Sequence, residues 1–131
     1  MQKNGYDREG AVRRANSVRS SDKRMLILGR GSQVLGYTGI KKQADKYPIN
    51  VDSSHCAHIL WVGVHPDFRH KGFGLRLVLA CDNIALDWER QGICLNCREK
   101  IIPFYASNRY TIVGSYIDEE KIRFVMVKDI K

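Results

Sequence analysis

Val64-His65-Pro66-Asp67-Phe68-Arg69-His70-Lys71-Gly72-Phe73-Gly74-Leu75 is the stretch from which the rest of the chain can be read. The residues running into it, His58-Ile59-Leu60-Trp61-Val62-Gly63-Val64, are nearly all apolar, like a central strand covered on both faces. Pro66 ends that strand, because proline donates no ladder hydrogen bond. From Gly72 to Arg90, Phe73, Leu77, Cys81, Ile84 and Trp88 recur every three or four positions. Arg76, Asn83, Asp87 and Arg90 recur at the same period on another side, so the segment is an amphipathic helix. The order is buried strand, basic glycine-containing turn, long helix. The first N–H groups of a helix lack internal acceptors and carry partial positive charge, so they bind phosphate. Gly72 and Gly74 remove side chains that would block a close approach. Arg69, Lys71 and Arg76 add full charges nearby. GxxxxGK[ST] and GxGxxG are both absent, which excludes the Walker and Rossmann arrangements.

Working outward, Met25–Leu28 and Val34–Ile40 read as strands joined through Gly29-Arg30-Gly31-Ser32, a hairpin. Ala44 to Ser54 is polar, contains Pro48 and reads as a connecting loop. After the helix, Gly92 is its stop signal, and Ile93–Cys97 is a short strand. Pro103–Asn108 suggests a short helix. Thr111–Ile117 and Ile122–Lys128 form a second hairpin around Asp118-Glu119-Glu120-Lys121. The fold class is α/β with a mixed sheet. Residues 25–131 make one domain. Residues 1–24 are polar and basic, with seven Lys or Arg against three acids; they read as a tail, or as one short helix over Asp7–Asn16.

A chain of 131 residues fits one core, and 44% hydrophobic with 27% charged residues is an ordinary globular composition. No apolar run approaches the roughly 20 residues of a membrane helix, and MQKNGYDREG has no apolar signal-peptide core. A cytoplasmic location is expected. The 22 Lys and Arg against 14 Asp and Glu give a formal net charge of +8. Such an excess suits a polyanionic partner, nucleic acid or a polyphosphate cofactor, or is simply a solvated basic surface. No aromatic-rich strand motif or recognition helix supports nucleic acid. Cys94-Leu-Asn-Cys97 has CxxC spacing, and Ser54-His55-Cys56-Ala57-His58 offers further ligands. Strand alternation sends Cys94 and Cys97 to different faces, so buried small-hydrophobe cysteines and no metal are expected.

Val64, Pro66, Arg69, Gly72 and Gly74 match the V-x-P-x-x-R-x-x-G-x-G/A pattern of motif A in the GNAT superfamily of N-acetyltransferases, which residues 25–131 resemble. Asn96 to Tyr105, with its Phe104-Tyr105 pair, resembles the family's motif B. There the usual glycine before the next aromatic is Arg109, with Asn108 able to take the left-handed turn. The resemblance implies a mixed, mostly antiparallel sheet with a long helix after the central strand, and acetyl-CoA as co-substrate. It implies a pyrophosphate held by Arg69, His70, Lys71, Gly72, Phe73, Gly74 and Leu75. It also implies that Val62 and Val64 offer backbone groups to pantetheine and the thioester carbonyl, and that Asn96 contacts the pantetheine arm. The acceptor is an amine of a small molecule or protein. Tyr105 matches the tyrosine that protonates the thiolate of coenzyme A. His58 titrates near neutrality and is the candidate base, with Glu99 a weaker one. The alternative is a non-catalytic acyl-CoA-binding or regulatory module of the same fold. The 24 residues before Met25 look too short for the family's usual first strand and helices. An edge left open invites pairing, so a homodimer through Thr111–Lys128 is expected, unless residues 1–24 fold over the sheet instead.

Overall fold

The computed structural model describes residues 11–14 and 22–130. Two compact units divide them: the described residues up to Lys41 with Ile59–Ile84, and Lys42–His58 with the described residues from Ala85 onward. The strand β4 (Cys56–Val64) and the helix α1 (Phe73–Asp87) each contribute to both.

The first unit contains β1 (Ala11–Arg14), β2 (Lys23–Arg30), β3 (Gln33–Lys41), Ile59–Val64 of β4 and most of α1. The hairpin of β2 and β3 forms as expected, with Met25 opposite Gly39 and Ile27 opposite Tyr37. The short helix expected over Asp7–Asn16 is corrected: Ala11–Arg14 is a strand antiparallel to β2, with Val12 opposite Leu28. This stretch has no apolar stripe that a helix could bury, whereas the edge of β2 offers its backbone ready partners. The rest of that stretch lies outside the described residues.

The core of this unit gathers Leu28, Leu35, Phe73 and Leu77, with Val62, Val64 and Phe68 packed against them. Leu77, Val78 and Cys81 of α1 are completely buried. Double-sided cover of β4 holds for Cys56–Ile59, but Trp61 is 42% exposed and Val62–Val64 are half-buried. Backbones approach closely where glycine stands in β3. A Cβ on Gly36 would lie 2.7 Å from the Gly63 carbonyl oxygen and 3.1 Å from Leu77 Cδ1. Backbone cannot step aside as a flexible side chain can. Gly36→Ala is therefore expected to lower stability by about 1–3 kcal/mol, the usual range for overpacking, as read from urea unfolding midpoints.

The second unit contains the start of β4, β5 (Gly92–Cys97), α2 (Ile102–Ala106), β6 (Thr111–Asp118) and β7 (Lys121–Asp129). β4 and β5 run parallel, whereas β7 is antiparallel to both β5 and β6. β6 is the outermost strand here. The fold is mixed α/β and mostly antiparallel, as expected.

Two left-handed positions differ from expectation. The long helix ends at Asp87, not Arg90, and Gly92 is not its stop but the first residue of β5. Glu89 takes the left-handed conformation instead, at φ 62°. Its N–H bonds Leu86 O and the N–H of Arg90 bonds Ala85 O, each at 2.9 Å, a Schellman closure. After α2, Arg109 rather than Asn108 is left-handed, at φ 74°. The buried Asn108 side chain instead donates to the Phe104 carbonyl at 2.8 Å.

Candidate active site

In the first unit, β4 leads through a turn of 3₁₀ helix at Pro66–Phe68 into α1. The Arg69 Nε donates to the Val64 carbonyl at 3.2 Å, tying the basic turn to the strand end. Arg69 is extended, His70 has φ 63° and Gly72 has φ 85°. The chain thus reverses between Arg69 and Phe73 through two left-handed residues. Gly72 accepts that conformation without strain, and a Cβ there would meet nothing within 4 Å. The Arg76 N–H returns to Gly72 O at 3.1 Å. The N–H groups of Phe73, Gly74 and Leu75 precede that first ladder bond and point out of the helix end.

Arg69, His70, Lys71 and Gly72 are exposed, Gly74 is half-buried and Leu75 is 40% exposed. Phe73 belongs to the core, with Phe68 6.4 Å away ring to ring, so it offers a ligand its backbone N–H but not its side chain. An open left-handed glycine, three outward N–H groups and flanking cations fit a phosphate ester.

In the second unit, a polar cluster gathers around the end of the parallel ladder. The ladder of β4 and β5 is three rungs long: Cys56 with Gly92, Ala57 with Ile93, His58 with Cys94. Both strands continue past it. His58, on the last rung, is 3% exposed. Its Nε2 lies 2.6 Å from the Tyr47 hydroxyl, and its Nδ1 lies 3.6 Å from Asp45 Oδ2. Asn96 Nδ2 reaches the same hydroxyl at 3.4 Å, and the Cys94 thiol also bonds it. Burial pushes the Tyr47 hydroxyl well above the ordinary phenol range, so near neutrality it keeps its proton. Which of the Tyr47 hydroxyl and Nε2 donates in their hydrogen bond follows the tautomer of the ring.

Tyr105 is 7% exposed, edge-on to Phe104 at 5.0 Å and to Tyr110 at 5.6 Å. The Tyr105 backbone carbonyl accepts from Asn108 and Tyr110, closing the turn after α2. Glu99 is exposed in a short 3₁₀ turn. The structure therefore brings His58 and Asn96 together around Tyr47. Tyr47 and Asp45 escaped sequence reasoning because the polar texture of Ala44–Ser54 reads only as a loop. A tyrosine within that loop was the available signal.

The cysteines behave as buried small side chains. Cys94 donates to Cys56, which lowers the Cys56 thiol pKa and, with burial, raises that of Cys94. Cys97 instead meets Met126 Sδ at 3.8 Å, as strand alternation requires. Among the described residues, no group of three His, Cys, Asp or Glu is arranged to hold a metal.

A family model described as the acetyltransferase (GNAT) family matches residues 2–109. The chain belongs to the GNAT family of acetyltransferases. No curated protein matches it. Among solved structures, one from Bacillus anthracis str. Ames, named a streptothricin acetyltransferase and in complex with acetyl coenzyme A, is 17% identical with a TM-score of 0.72. It is matched over 86% of this chain and 65% of its own. The PaiA N-acetyltransferase of Thermoplasma acidophilum, in complex with coenzyme A, is 21% identical with a TM-score of 0.65, over 82% and 61%. An aminoglycoside 6'-N-acetyltransferase complexed with coenzyme A is 15% identical with a TM-score of 0.70, over 86% and 75%. At these identities the likeness is one of fold. The chain spans 61% to 75% of the length of these three structures. Acetyl-CoA is the co-substrate these relationships support.

Proposed function

We propose that the protein is an N-acetyltransferase that moves an acetyl group from acetyl-CoA to a primary amine of a small molecule or protein. The observation carrying this reading is the open, left-handed Gly72 at the N-terminus of α1, flanked by Arg69 and Lys71. The pyrophosphate sits over Gly72 and Gly74 and accepts from the N–H groups of Phe73, Gly74 and Leu75. Arg69, His70 and Lys71 supply charge or hydrogen bonds around it. Backbone groups of Val62 and Val64 align the pantetheine and polarise the thioester carbonyl, and Asn96 contacts the arm. Tyr105 gives its phenolic proton to the departing thiolate, a good leaving group that needs only a modest acid. His58 is the base that frees the amine lone pair.

Calorimetry with acetyl-CoA, followed by thiol release across a panel of amines, tests this reading. Binding with no thiol release from any amine would make the chain a binding module of the same fold. Among the described residues, no helix is long and apolar enough to cross a membrane, and we place the activity in the cytoplasm.

The proposal extends to a homodimer. β6 is the outermost strand of its unit, and Ile112, Val113 and Ile117 are 48%, 42% and 73% exposed on it. Such an edge pairs readily with a second copy. Light scattering at micromolar concentration is expected to give twice the 15.0 kDa chain mass; a clean monomer would remove the dimer.

A further inference from the structure

We infer that the outward faces of Tyr37 and Trp61 form the platform on which the acceptor lies, and that the acceptor is an amine carried on a flat aromatic body. The inference rests on the acetyltransferase reading for the acceptor's role, and on the resting geometry of the first unit for the platform itself.

Strand alternation separates the two faces of β3 and β4. Gly36 and Thr38 turn to α1: a Cβ on Gly36 would stand 3.1 Å from Leu77 Cδ1, and Thr38 Oγ1 stands 3.8 Å from Cys81 Sγ. Val62 and Val64 pack against the same core. Tyr37, Gly39, Trp61 and Gly63 are their alternates and lie on the opposite face. Met25 and Ile27 of β2, opposite Gly39 and Tyr37, extend that face. The two rings lie crosswise between the strands. A Cβ on Gly39 would stand 2.7, 2.8 and 2.9 Å from Cζ2, Cη2 and Cε2 of Trp61. A Cβ on Gly63 would stand 2.8, 3.0 and 3.0 Å from Cζ, Cε1 and the hydroxyl oxygen of Tyr37. A point beside a ring edge is near one atom and well away from that atom's neighbours; near-equal distances put each ring face-down on its glycine. The outer faces are open, with Tyr37 48% and Trp61 42% exposed.

The occupant of these faces follows from what lies beneath them. Gly63 is the residue between Val62 and Val64, whose backbone groups hold the thioester in the proposed reaction. The Tyr37 ring therefore covers the same strand segment that the acetyl group uses. Phe73 and Leu77 fill the core face of that segment, which leaves the aromatic face as the side from which an acceptor reaches it. An alkylamine arrives at neutral pH as an ammonium ion, and the faces of tryptophan and tyrosine attract a cation through the ring quadrupole. The same faces stack a flat ring. Beyond the Tyr37 hydroxyl and the Trp61 N–H they offer no hydrogen-bond partner, so a polyhydroxylated amine would shed water here without replacing it. Each ring is already held against the sheet by its inner face, so stacking on the outer one costs little side-chain freedom.

Two readouts test the platform. The chain has two tryptophans, Trp61 and Trp88, so nitrogen-15 NMR of tryptophan-labelled protein reads the site without turnover. Adding 2-phenylethylamine is expected to shift the Trp61 indole N–H, assigned by its loss in Trp61→Phe, while glucosamine leaves it in place. A signal unmoved by phenylethylamine, or moved equally by glucosamine, would overturn the platform. So would a signal that follows protein concentration, which seats a second copy on this face, or one that moves only when residues 1–10 are removed, which seats that segment there. The second readout is steady-state kinetics, in which kcat/KM is expected to favour phenylethylamine over glucosamine on the order of 10- to 100-fold. Trp61→Leu keeps apolar cover and removes the flat face. It is expected to raise KM for phenylethylamine about tenfold, with kcat and KM for acetyl-CoA within about twofold, and Trp61→Phe is expected to recover most of the loss. Equal losses in the leucine and phenylalanine variants would reduce Trp61 to packing. No thiol release from any amine, with the indole shift intact, would sink the acetyltransferase reading and leave the aromatic site standing; thiol release without preference between the two amines would do the reverse.

Discussion

Gly72→Asp is expected to weaken acetyl-CoA binding by at least 100-fold while lowering the melting temperature only by the several degrees that about 1–2 kcal/mol of left-handed backbone strain costs. A Cβ at this position meets nothing within 4 Å, so the new side chain does not collide with the protein. It stands instead in front of the helix N-terminus, with a negative charge where phosphate oxygens belong. A charged hydrogen bond contributes about 1.5–3 kcal/mol, so displacing two costs about 3 kcal/mol or more, slightly over two decades in affinity. Aspartate also has to adopt φ 85°, which adds backbone strain. Gly72→Ala isolates that strain, since it keeps the conformational cost and omits the charge. Calorimetry on both variants orders them: a small loss for alanine and a large one for aspartate. Equal affinity in the aspartate variant and the unaltered protein would move the pyrophosphate away from this turn.

The turn was legible because its information is local. A buried strand, a proline stop, cations and two glycines before an amphipathic period fall within about a dozen consecutive residues, and each signal needs only its neighbours. The succession of strands along the second unit was legible for the same reason, through apolar runs and their turns, whereas the pairing of β5 with β7 rather than β6 was not. What escaped depends on partners distant in sequence. Ala11–Arg14 is extended because β2 presents an edge to it, and nothing in Ala-Val-Arg-Arg itself says so. Tyr47 and Asp45 become chemical only when their loop folds onto a strand 11 and 13 residues further on, at His58. Glu89 and Arg109 are left-handed although Gly92 and Asn108 were the nearby residues with the better intrinsic preference. In each case the competing residue had other work: Gly92 sits in β5, where a Cβ would come within 3.1 Å of Cys56 Sγ and of the Lys128 carbonyl oxygen. Local preference is a weak prior, and tertiary packing overrides it at chain reversals.

Tyr105→Phe is expected to lower kcat by roughly 10- to 1000-fold, within or below the usual span of general acid catalysis, with acetyl-CoA affinity little changed. The ring is 7% exposed and lies edge-on to Phe104 and Tyr110, so phenylalanine keeps the packing and only the hydroxyl departs. Steady-state kinetics alone would not separate a lost acid from a small displacement of the loop after α2. Varying the leaving group separates them. A thioester whose thiol has a pKa below neutrality leaves as a stable thiolate and needs no proton. The Tyr105→Phe defect is therefore expected to shrink towards unity with an acetyl aryl thioester and to persist with acetyl-CoA. A defect of the same size with both donors would mean that Tyr105 positions the chain through its core contacts and gives no proton, and an undiminished kcat with acetyl-CoA would remove it from the reaction altogether.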